Sequence, residues 1–261
     1  MAKGDESMSS KDNNDSYDID INLIKAYLDG CESQNRMNIS VISSLCNEIS
    51  AIDVNEENSE EYLRQCADNI IKQCTQIMKM TEIYAILSDG LSPKALVKEN
   101  IDLSEYLSEF STECNKKIGH FFKVEYTKST RLYVCIVRKL MDFCLSMFIR
   151  KTAINGGESV KLAYSATKDS VIISAEIIKC SDAVIEGIPE SFSTDYAYEI
   201  IQMAAKKMNV NFFIEDNGIK LSIPISKEFK ATMESTNDIY AKHSFSTLNN
   251  ILSDLSDISI I

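Results

Sequence analysis

Histidine is nearly missing from this 261-residue chain, which has only His120 and His243, far apart in sequence. A zinc site or a Cys/His nucleophilic pair has little to build on, and no metal or cofactor is expected. No stripe of Lys and Arg appears, and the formal net charge is −12. That balance argues against nucleic acid or an anionic membrane as a main partner, since both select clustered cations. No apolar run approaches the roughly 18 residues needed to span a bilayer. The opening residues, MAKGDESMSSKDNNDS, contain no apolar signal-peptide core, so a cytoplasmic protein is expected. The eight cysteines form no CxxC pair and fall mostly on apolar faces of predicted helices, where they read as buried free thiols acting as small hydrophobes.

What is present begins with helical periodicity. Hydrophobic residues make up 44% of the chain, and its length favours two units over one. From Ile21 to Ile52, Ile21, Ile24, Leu28, Cys31, Asn35, Asn38, Ile42, Leu45, Ile49 and Ile52 keep one heptad register, turning polar at Asn35 and Asn38. A second segment holds a matching seam through Leu63, Cys66, Ile70, Gln73, Ile77, Met80, Tyr84 and Leu87. Two such helices bury little alone. Homodimerisation into a four-helix bundle is the simplest way to cover both seams, with Ile42, Leu45, Ile49, Leu63, Ile70, Ile77 and Tyr84 as the expected dimer core.

Residues 1–17 are too polar to pack and read as a disordered leader; residues 18–90 form the dimerisation hairpin. Gly30 is expected to kink the first helix or split it. Asn58 with Glu61 makes a capping-box spacing for the second helix, which stops at the Asp89-Gly90 and Ser92-Pro93 signals. A mixed unit follows over 93–226. It comprises a short strand at Val97–Ile101, a helix opened by Asp102 and Glu105, and strand alternation in HFFKVEYT. A long helix, apolar nearly all round, then runs from about Arg131 to Lys151. Two hairpins flank an irregular connector and a helix to about Met208, the second turning at Asn217-Gly218, a pair that favours positive φ. The order β-α-β-α-β-β, connector, α-β-β gives an α+β chain: a helical hairpin followed by a two-layer α/β sandwich. Residues 227–261 form an appendage in which Phe245, Leu248, Leu252 and Leu255 mark an amphipathic helix, either docked on its own chain or offered to a partner.

This order resembles the dimerisation and ATP-binding core of bacterial sensor histidine kinases over roughly residues 31–226. The local signs are Asn38-Ile39-Ser40, the helix ending TEIYAILSDG, the segment ENIDLSEYL, and RKLMDFCLSMFIRKTAINGGESVKLAY. The resemblance implies a histidine-kinase-like ATPase fold for the sandwich. It also implies a phosphoaccepting histidine after Asn38-Ile39-Ser40, but Val41 stands there, and no histidine lies in the hairpin. The family's Asn pair, which helps hold Mg²⁺ and phosphate, aligns with Phe143 and Met147, neither of which offers the oxygen a hard cation needs. Asp142, one residue away, is turned about 100° from the expected face. Of the family's acidic and glycine motifs only Asp182 and Gly187 remain, without the DxGxG spacing.

The expectation is a catalytically inactive, histidine-kinase-like adaptor. It would homodimerise through the seam and bind a response-regulator receiver domain, or an active kinase, on the face around Asn38, Val41 and Ser44. Two alternatives stay open: a divergent ATP-binding kinase or phosphotransferase retaining activity, and an oligomeric scaffold outside two-component signalling.

Overall fold

The computed structural model describes residues 21–52, 59–88, 96–180, 196–224 and 245–255. The expected leader, the Asn58 cap, the connector with Asp182 and Gly187, and His243 lie outside the described residues. The chain is α+β, with a helical hairpin preceding a layer of helices on a mixed sheet.

Helix α1 (Ile21–Ala51) and α2 (Ser59–Leu87) form the hairpin. α1 passes unbroken through Gly30, so the glycine does not split it; a glycine inside a helix costs about 1 kcal/mol, which a helix this long absorbs. The seam faces inward. Cys31, Asn38 and Cys66 are buried, while Ile42, Leu45, Ile49, Leu63, Ile70 and Ile77 are half-buried within one chain. Tyr84, also expected in the dimer core, is 48% exposed within one chain. Over its last three turns α2 buries Lys79, Met80, Ile83, Ile86 and Leu87 instead, because that end packs on the rest of the chain as well as on α1.

Strand β1 (Glu99–Asp102) leads directly into α3 (Leu103–Ile118). The Asp102 side chain caps α3, accepting from Ser104 N–H at 3.0 Å and Glu105 N–H at 3.4 Å, as the sequence spacing requires. β2 (Lys123–Tyr126) follows, and then β3 (Tyr133–Ile136), which pairs antiparallel with β1. The sequence reading absorbed β3 into the next helix. α4 in fact starts at Arg138 and runs to Ile154. Residues 140–150 of α4 are all buried, which is why its apolar residues show no single face. Gly156, at φ 81°, turns the chain into β4 (Gly157–Ala166).

β5 (Ser170–Cys180), α5 (Ala197–Met208), β6 (Asn211–Glu215) and β7 (Gly218–Pro224) complete the sheet, ordered β2-β4-β5-β7-β6. Only β2 with β4 is parallel. Val160, Leu162, Val171, Ile173, Ala175, Ile219, Leu221 and Ile223 alternate with polar or exposed positions and line the inner face. Asn209, in the left-handed region at φ 59°, closes α5. The β6–β7 turn is built on Asp216 and Asn217, not on a positive-φ Asn-Gly pair; Gly218 is required because a Cβ there would strike the Ala175 carbonyl.

The final described segment docks back on the chain. Helix α6 (Ser246–Ile251) and a 3-10 turn (Ser253–Leu255) bury Phe245, Thr247, Leu248, Ile251, Leu252 and Leu255 against α2, α3 and α4. No helix among the described residues is long and apolar enough to cross a membrane.

Candidate functional site

The hairpin has two flanks with different surroundings. In an antiparallel helix pair, residues just after seam positions on both helices project to one side, and residues just before them to the other. The bond from the Tyr62 hydroxyl to Glu48 Oε2, at 2.7 Å, joins two residues that each precede a seam position, Leu63 and Ile49. That hydrogen bond and the Glu48 charge push the Tyr62 phenol up to about 12. Val41 and Ser44 belong to this preceding flank and are exposed. Lys79, Ile83 and Ile86 lie on the same flank further along α2, where they are buried against the rest of the chain. The following flank carries Ile39, Ile71 and Met78, which are 54%, 63% and 54% exposed. Cys46 and Cys74 lie on the same flank and are exposed rather than buried, unlike Cys31, Cys66, Cys114 and Cys144.

Asn38 does not belong to the exposed surface around Val41 that the sequence suggested. It is 1% exposed, its Oδ1 accepts from Gln34 Nε2 at 3.0 Å, and its Nδ2 is buried without a partner. It is a seam residue, turned about 60° inward from Val41. The surface around Val41 is made by Met37, Val41 and Ser44, whose hydroxyl donates to Glu48 at 3.4 Å. No histidine stands there among the described residues.

Helix α4 carries the second predicted position. Cys144 Sγ donates to the Ile201 carbonyl of α5 at 3.7 Å, and Arg150 Nη1 donates to the Ile251 carbonyl, the last of α6, at 3.3 Å. At about 100° per residue, Phe143 and Met147 lie on the arc between these two directions. They are 0% and 1% exposed. The face that carries Phe143 and Met147 is therefore packed apolar interior walled by neighbouring helices. Asp142 points elsewhere: the Tyr106 hydroxyl of α3 donates to its Oδ1 at 2.8 Å. Burial, then the Asp142 charge and this bond, push the Tyr106 phenol well above its ordinary value. Burial likewise raises the thiols of Cys114 and Cys144, which suits inert core groups rather than nucleophiles.

Three ties between distant segments escaped the sequence reading. Lys207 of α5 donates to the carbonyls of Ile86, Leu87 and Ser88 at 2.6, 3.2 and 2.9 Å and so caps α2. Glu82 of α2 accepts from Thr247 at 3.1 Å and pairs with Lys139 of α4 at 2.9 Å. Arg150 is the third, signalled only as a cation that follows the largely apolar run Phe143–Ile149 of α4. His120 is exposed and stacks edge-on against Phe121. Elsewhere, Glu176, Ile177, Glu215, Asp216 and Asn217 line an open cleft of about 510 Å³, whose carboxylates would repel phosphate. Among the described residues no group of three or more His, Cys, Asp or Glu is placed to hold a metal ion.

No protein-family model matches the sequence, and no curated protein matches it. Solved structures with a similar fold include the histidine kinase AdeS of Acinetobacter baumannii, at 13% identity and a TM-score of 0.47, covering 73% of this chain and 95% of that one. The histidine kinase ThkA, in complex with the response regulator TrrA, gives 16% identity and a TM-score of 0.47, covering 78% of this chain and 63% of that one. A bacterial phosphotransferase gives 13% and 0.36, covering 77% and 95%.

Proposed function

We propose that this chain is a non-catalytic signalling adaptor of the histidine-kinase type, acting by homodimerisation and by binding a receiver domain or an active kinase. The observation that carries this reading is the burial of Phe143 and Met147, at 0% and 1% exposure, on the face aligned with the family's metal- and phosphate-holding Asn pair. A nucleotide there would have to displace core. Val41, at the aligned phosphoacceptor position, adds a side chain with no nitrogen or oxygen to receive a phosphoryl group.

The two flanks of the hairpin suit two partners. The half-buried seam and the exposed Ile39, Ile71 and Met78 favour a second copy on the following flank, completing a four-helix bundle. The preceding flank, with Met37, Val41 and Ser44, stays open beside the sandwich for a signalling partner. Three measurements test the reading together: calorimetry with Mg-ATP, sedimentation equilibrium, and binding of a purified receiver domain or kinase core. No heat of nucleotide binding, a dimer at micromolar concentration and saturable partner binding are expected. Micromolar ATP binding would favour the divergent kinase instead. A dimer that takes neither partner would favour a scaffold.

A further inference from the structure

The segment Phe245–Leu255 has features of a bound ligand more than of a framework element. Twenty residues separate it in sequence from Pro224, the end of the sheet. Its helix is six residues long, its N-cap Phe245 makes no side-chain cap bond, and a helix this short is unstable in isolation. Its conformation is therefore supplied by the groove in which it lies. Phe245, Leu248, Ile251, Leu252 and Leu255 are at most 6% exposed and project into that groove. The walls come from both halves of the molecule: Ile83 and Ile86 of α2 are fully buried, and Phe110 of α3 stacks edge-on with Phe245 at 6.1 Å.

Polar contacts fix the segment lengthwise. Arg138 lies over the Phe245 ring, 5.6 Å from its centre, at one end, and Arg150 holds the Ile251 carbonyl at the other. Lys117 reaches the Asn249 carbonyl at 3.4 Å. Thr247 bonds Glu82, the residue that α4 also holds through Lys139. Two of these side chains grip main-chain carbonyls, which any helix of the same length offers. Specificity thus rests on the apolar spacing and on one hydroxyl.

We propose that the groove between α2, α3 and α4 is a binding site for a short amphipathic helix, filled in cis by the chain's own Phe245–Leu255 segment. The segment acts as a removable clamp joining the hairpin to the sandwich. On release it would uncover an apolar surface open to a partner helix with the same spacing. The 20 intervening residues make seating of the segment intramolecular, at an effective concentration on the order of 1 mM, so cis occupancy of about nine-tenths needs an intrinsic Kd near or below about 0.1 mM.

The test uses the full chain and a fluorescein-labelled peptide of residues 243–257. The intact chain should not take up the peptide, because its own segment competes. The full-length variant Phe245→Asp/Leu248→Asp, whose segment cannot seat, should bind it saturably with Kd below about 0.1 mM. Exchange at α2 amides near Ile83 and Ile86 should rise in that variant and fall again when peptide is added. A folded variant that ignores the peptide, a variant that fails to fold at all, or equal uptake by the intact chain would each overturn the proposal. A second pair, Glu82→Cys/Thr247→Cys, guards the reading: its oxidised form should refuse peptide even after partial denaturation of the segment, and uptake by that form would also overturn it.

Discussion

The hydroxyl of Tyr106 donates to Oδ1 of Asp142 at 2.8 Å inside the helical layer, and both residues are at most 2% exposed. Asp142 is the acidic side chain of α4 and directly precedes Phe143. Its carboxylate is turned to α3 and serves as a tie between two helices.

Replacing Tyr106 with Phe should cost about 1–3 kcal/mol, since a buried carboxylate loses a donor. Urea unfolding monitored by far-UV circular dichroism measures it. A tyrosine whose folded-state pKa is raised holds its proton more tightly folded than unfolded. Its stabilising contribution is thus complete below the unfolded value near 10 and is lost as pH rises above it. The parent chain should lose stability above about pH 10 more steeply than Tyr106→Phe.

Placing asparagines at positions 143 and 147 should not create nucleotide binding. Phe143→Asn with Met147→Asn removes two fully packed side chains and buries two amides, so we expect a loss of at least about 3–5 kcal/mol and no calorimetric response to Mg-ATP. A heat of binding in that variant would show that a pocket persists behind the packing.

Val41→His gives the hairpin an exposed imidazole at the aligned acceptor position. Incubated with radiolabelled ATP and Mg²⁺, this variant should remain unlabelled. Incorporation of label at residue 41 would mean that the chain phosphorylates itself, which contradicts the adaptor reading.

Ile39→Lys with Ile71→Lys should leave the fold intact, because each side chain is more than half exposed. Sedimentation equilibrium should show a dimer for the parent chain and a monomer for the variant. Val41→Lys, on the other flank, should leave the dimer in place and weaken receiver-domain or kinase binding about tenfold or more.

Lys207→Met deletes three bonds to the carbonyls that end α2 and should cost about 1–2 kcal/mol. Hydrogen exchange at Tyr84–Ser88 should quicken while exchange in the sheet stays unchanged.

The sequence carried the hairpin, the Asp102 cap and both β-hairpins, because each rests on a local period or a turn signal. β3 was hidden: Leu132–Val137 is a continuous apolar run, and only pairing with β1, over thirty residues upstream, makes it a strand. The inward rotation at the end of α2 was equally invisible, since Tyr84 fits the heptad while Ile83 and Ile86 answer to a segment 160 residues away. At the site, the apolar character of Phe143 and Met147 was legible from composition alone. The ties through Glu82, Arg150 and Lys207 were not, because a lone charge in a helix carries no sign of which distant carbonyl or hydroxyl it meets.

The unbroken course of α1 through Gly30 has a mechanical meaning. Its 31 residues make a rod about 46 Å long with no hinge between Ile21 and Val41. A twist imposed near its first turn arrives at Val41 as rotation, and not as bending lost at the glycine. The orientation of the surface made by Met37, Val41 and Ser44 is thereby geared to the first turn of that helix.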